Sequence, residues 1–211
     1  MISGKNVLER AGHALMMVSA WPGRASSWLV LIVIAAVLVA VLGSLMRLNE
    51  LIVWGFTIPV LGERMTITGL AELQWHLFAV MVMFGGAYTL AEDRHVRVDF
   101  IYATIGERGR ALVDLLGDIC FLLPFCAIIA WLSQSFVGLA FRSGEQSDYG
   151  GLIDRYVIKA VLPAGLLVLF AAGLGRVLAN IGFLIRSKGD PSATRDGANQ
   201  GTGHGGVAIH G

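Results

Sequence analysis

Residues 72–99 read ELQWHLFAVMVMFGGAYTLAEDRHVRVD, and this stretch decides the fold. An acidic and aromatic lead-in, Glu72, Gln74, Trp75 and His76, runs into an apolar segment with two adjacent glycines, Gly85 and Gly86. The segment leaves through Tyr88 into a dense charge cluster from Glu92 to Asp99. About twenty apolar residues at a rise of about 1.5 Å cross the hydrocarbon layer once. The stretch therefore predicts a transmembrane helix, about residues 70–91, with a polar lip at each end. Neither lip has the spacing of a catalytic centre.

Composition agrees with lipid as the solvent. The chain has 211 residues, mean hydropathy +0.70, and only 15% charged residues, against about a quarter in soluble domains. A net charge of +1 gives no clustered basic face for nucleic acid. Cys120 and Cys126 lie in one apolar run, and six residues apart on a helix they point away from each other, which argues against a bond between them. No CxxC, HExxH, P-loop or GxSxG motif occurs, so no catalytic set is legible.

Outward from the central stretch, three further spans emerge. Residues 28–48 are apolar and carry Ala36, Ala40 and Ser44 as a small-residue stripe. Residues 112–141 contain Pro124, which is expected to kink the helix, and residues 157–185 form the fourth span. Residues 1–27 precede the first span. There Val7, Leu8, Ala11, Leu15 and Val18 share a face, which suits a helix lying on the membrane surface until Pro22-Gly23 breaks it, with a plain flexible tail as the alternative. Leu51–Leu61 is apolar but too short to cross and is interrupted by Pro59, so it is expected at the outer interface with Trp54 at headgroup depth, or packed on the bundle, followed by a turn-like Gly62–Thr68. Residues 186–211 are Gly-rich and predict a disordered tail. The expected fold is an all-α integral membrane protein of four transmembrane helices with short interfacial helices.

An even number of spans puts both termini on one side. Ten Lys and Arg fall on the terminal and second-loop segments and five on the other side, so the positive-inside rule predicts both termini in the cytoplasm. Charges inside the spans need partners or a short route to water. Asp118 and Arg176 come to similar depths by helical rise, which predicts a pair or a shared hydrogen-bond network. His76 and His95 sit at opposite lips, and the first, third and fourth spans hold no histidine. Haem between two histidines at one depth is thus disfavoured, and no cofactor or metal is expected.

An ordered set of motifs carries a family resemblance. Glu72-Leu73-Gln74-Trp75, Gly85-Gly86-Ala87-Tyr88-Thr89-Leu90 and His95-Val96-Arg97-Val98-Asp99 come first. Leu122-Leu123-Pro124-Phe125-Cys126, Gly144-Glu145-Gln146-Ser147, Gly150-Gly151-Leu152 and Ile158-Lys159-Ala160-Val161-Leu162-Pro163 follow. Over about residues 28–185 the chain resembles the small permease subunit of tripartite ATP-independent periplasmic (TRAP) transporters, in the branch associated with mannitol and chloroaromatic compounds. Arg176 departs from the family pattern.

The resemblance implies an inner-membrane subunit that does not move cargo alone. It would brace a large permease subunit, which works by an elevator motion on a sodium or proton gradient, and help dock a periplasmic binding protein carrying an organic acid. By the same resemblance, Glu72, Gln74 and Trp75 would anchor the outer lip, and Gly85 and Gly86 would let helices approach. His95, Arg97 and Asp99 would fix the inner end of the central helix, and Lys159 would serve structure or a partner interface. Residues 142–155 would face the binding protein. The alternative is a membrane anchor of a quinone-linked oxidoreductase.

Overall fold

Small residues decide where these helices touch, because lipid already solvates the large apolar side chains and gives them no reason to turn inward. The computed structural model describes residues 6–92, 105–148 and 151–189. Among these, four helical segments are long and apolar enough to cross a membrane: Val7–Leu45, Ile67–Ala91, Glu107–Ser143 and Tyr156–Ser187. The elements in chain order are α1 (Val7–Ser26), α2 (Leu29–Leu45), β1 (Glu50–Ile58), β2 (Gly62–Thr66), α3 (Ile67–Ala91), α4 (Glu107–Gly117), α5 (Leu123–Ser143) and α6 (Tyr156–Gly189). A π-helical turn, Asp118–Leu122, joins α4 to α5.

α2, α3, α6 and α5 pack in that order as a row, with α1 laid across α3 and α6. At the centre, Ala87, Leu90 and Ala172 are buried between α3 and α6, while Cys126, Ala130 and Leu166 are buried between α5 and α6. Leu122 and Leu169 border both clusters. Cys120 is exposed and Cys126 buried, and they are not bonded to each other. On the other side of α3, Ala36 meets Met65 and Leu70, with Ala40 beside them. The outer flanks of the row stay apolar and open: Leu31, Leu38 and Leu45 on α2, and Phe125, Trp131 and Leu139 on α5, are each more than half exposed.

α1 runs past the break expected at Pro22-Gly23. It continues through Pro22 and Gly23 to Ser26, and its buried residues are Glu9, Gly12, Ser19, Gly23 and Ser26. Val7 and Val18, on the apolar face expected toward the membrane, point away from the other helices. The reason is close approach. A Cβ on Gly12 would lie 2.5 Å from the Gly175 carbonyl, and one on Gly23 would lie 2.5 Å from the Phe84 carbonyl. Backbone meets backbone at both points, and this packing holds the helix across Pro22.

The segment between α2 and α3 is not helical. Its β-branched and aromatic run forms a two-stranded antiparallel hairpin, with Glu50 opposite Thr66 and Val53 opposite Arg64. Such residues fit a pleated surface. Val60 and Gly62 take positive φ around the turn, so Gly62–Thr66, expected as a turn, is the return strand. Trp54 Nε1 donates to the Gly62 carbonyl at 2.8 Å, and Thr66 Oγ1 caps α3 by accepting from the Gly69 amide at 2.9 Å.

Pro124 does not end its helix. It has no N–H to donate, and its ring would crowd the carbonyl four residues back, that of Cys120. The wider turn just before it absorbs both problems: the Leu123 amide donates to the Asp118 carbonyl, five residues back. Asp118 thereby stands at the first position of the irregular turn.

Candidate functional site

At the hairpin end of the molecule, one carboxylate gathers a loop. Glu72 lies two turns into α3 with its side chain 16% exposed. Ser147 Oγ donates to Glu72 Oε1 at 2.5 Å, and the Leu152 amide donates to Oε2 at 2.9 Å. Arg155 sits 3.5 Å from Oε1. A Cβ on Gly151 would collide with the same carboxylate, so glycine is what lets the loop come this near. Leu152 is buried beneath it, and the Ile153 amide donates to the Val60 carbonyl at 2.9 Å. Gly144, with φ +59°, closes α5 in the left-handed conformation that glycine tolerates best. The described parts of the loop, on either side of residues 149–150, are therefore tied in place, while Gln146 and Asp148 point into the open.

Lys159 belongs to the same end. Its ammonium pairs with Glu145 and lies 4.1 Å from the centroid of the Phe136 ring, a favourable cation–ring arrangement. Trp75, by contrast, meets no such partner: it is 73% exposed. With Phe78, Val82, Met83, Ile158 and Leu162 it lines an apolar groove of about 400 Å³ between α3 and α6.

Within the membrane-spanning region, Arg176 and Asp118 form a bidentate pair. Arg176 Nε donates to Asp118 Oδ2 at 2.6 Å, and a terminal guanidinium nitrogen reaches Oδ1. Asp118 is 1% exposed. The fork-to-fork geometry satisfies both groups where water is scarce. The sequence placed the two at one depth; the π-helical turn aims the carboxylate.

Other polar ties escaped the sequence reading. Glu9, buried, accepts from the Asn6 amide at 3.1 Å and from Arg186 at 3.2 Å. Arg108 donates to both the hydroxyl and the carbonyl of Ser187, tying the start of α4 to the end of α6. The spacing Asn6-x-x-Glu9 was the one available signal, since it is a helix-start pattern. A polar cleft of about 430 Å³ opens beside these pairs, with His13, Asp114, Arg176, Asn180 and Arg186 on its walls.

Gly85 and Gly86 are not points of close approach within the chain. A Cβ on Gly85 would meet nothing within 4 Å, and one on Gly86 would meet only Leu169, at 3.9 Å. Their carbonyls accept from Thr89 Oγ1. The close approaches fall instead at Gly12, Gly23 and Gly165, where Gly165 packs on Met83. His95, Arg97 and Asp99 lie outside the described residues. No cluster of three or more His, Cys, Asp or Glu side chains suited to a metal occurs among the described residues.

The family model for the DctQ component of tripartite ATP-independent periplasmic transporters matches residues 56–182, which include α3, the hairpin-end loop, the Asp118–Arg176 pair and most of α6. The chain belongs to this family. It is the small membrane subunit of a TRAP transporter, a multi-pass protein of the inner membrane. DctQ proteins are transporter components rather than enzymes and work within a TRAP complex. No curated protein and no solved structure matches the chain.

Proposed function

We propose that this DctQ subunit braces a large permease subunit and presents its hairpin end to a periplasmic binding protein during gradient-driven uptake of an organic acid. One observation carries this reading. Glu72, Lys159, Asp118 and Arg176 each meet a partner inside the chain, so their charges hold helices and loops in place rather than line a route for cargo. In the proposed orientation both termini are cytoplasmic and the hairpin and residues 144–155 are periplasmic. The open apolar flanks of α2 and α5, and the groove beside Trp75, are suited to lipid and to the large subunit. A sodium or proton gradient would drive the larger partner, and the family resemblance supports an organic acid as the cargo.

The test uses the intact complex with its cognate binding protein. Gln146→Ala and Asp148→Ala change exposed side chains that make no tie to Glu72. They are expected to weaken binding-protein docking several-fold while the membrane level of the complex stays normal. A fall in complex level with normal docking would instead assign these residues to assembly.

A further inference from the structure

We infer that Glu72 is the positioning residue for docking: its carboxylate latches residues 144–148 and 151–155, the described parts of the loop, in the one shape that the binding protein meets. The inference rests on the reading of that loop as the docking face. Three groups separated from Glu72 by 75 to 83 positions in sequence converge on the two oxygens of one carboxylate. They are a hydroxyl near the start of the loop (Ser147), a backbone amide in its second half (Leu152), and a guanidinium at its end (Arg155).

Two further bonds act within the loop. The Ser147 amide donates to the Leu152 carbonyl at 3.1 Å, and the Arg155 amide donates to the Glu145 carbonyl at 3.0 Å. These two bonds hold the loop's own crossing, whereas Glu72 holds the loop to α3. Hydrogen bonds to an ionised acceptor are the stronger kind, and the side chain is largely shielded from water. A loop so held binds without first losing conformational freedom, which favours affinity. Glu72 touches no partner itself; it acts through the loop.

The experiment compares the wild-type complex with Glu72→Ala, Glu72→Gln and Ser147→Ala, each reconstituted in lipid nanodiscs. Two readouts are taken: amide hydrogen exchange at Leu152, and titration with purified binding protein. In Glu72→Ala, exchange at Leu152 should rise at least about tenfold and the dissociation constant of the binding protein about tenfold. Exchange in α6 should not change. Glu72→Gln keeps the shape and one acceptor and should fall between wild type and alanine, as should Ser147→Ala; this graded order is not expected from a misfolded subunit. Unchanged exchange at Leu152 would overturn the latch. Faster exchange with unchanged docking would overturn the link from latch to binding. If the wild-type complex itself docks no binding protein, the proposed function fails rather than the latch.

Discussion

Glycines that look alike in the sequence do different work. Gly85 and Gly86 form the conspicuous pair, yet a methyl group on either meets open space or ordinary contact. Gly12 is inconspicuous, yet a methyl there would press on the Gly175 carbonyl and the Ala179 amide. Backbone atoms cannot rotate aside as a flexible side chain can, so overpacking of roughly 1–3 kcal/mol is expected. Gly12→Ala should lower the thermal midpoint of the detergent-purified subunit by several degrees, and Gly85→Ala should leave it unchanged within about a degree. Equal midpoints for the two variants would show that α1 does not pack on α6 as described. The difference was hidden in the sequence because close approach depends on which helix lies opposite, and composition along one helix does not say.

Between elements, the Asp118–Arg176 pair joins the π-helical turn before α5 to α6. Removing one partner leaves the other charge buried in a poorly hydrated place, at a cost of roughly 3–5 kcal/mol. Asp118→Asn and Arg176→Gln should each sharply lower the amount of folded subunit. The double variant should lose less than the two single losses added together. A double-mutant cycle on thermal unfolding checks this; strict additivity would mean that the two groups do not interact. The depth match was legible because helical rise converts residue count into distance. The hairpin was not legible as strand. Ile52, Val53, Trp54 and Phe56 are apolar enough to read as interfacial helix, and short apolar runs of this length are ambiguous by pattern alone. The break expected in α1 at Pro22-Gly23 is absent; its apolar face, Val7, Leu8, Ala11 and Val18, is exposed, and Gly12, Ser19 and Gly23 are among the residues that pack.

At the scale of the whole molecule, four spans and a membrane solvent were legible from hydropathy and length, because a bilayer imposes both. The latch at Glu72 was legible only as a polar lip. Its partners lie some eighty residues onward and are brought to it by the course of α5, which runs antiparallel to α6, while α6 runs parallel to α3. The helices form a row with α1 across it, rather than a closed bundle, and that row leaves α2 and α5 with large uncovered apolar flanks. A subunit built this way has surface to give to a larger integral-membrane protein. The most direct measurement is co-expression of the subunit with the large permease subunit, extraction in mild detergent and mass determination of the purified particle. The account predicts one stable complex containing both proteins in equal numbers. Recovery of the DctQ subunit by itself, monodisperse and free of the large subunit, would contradict it.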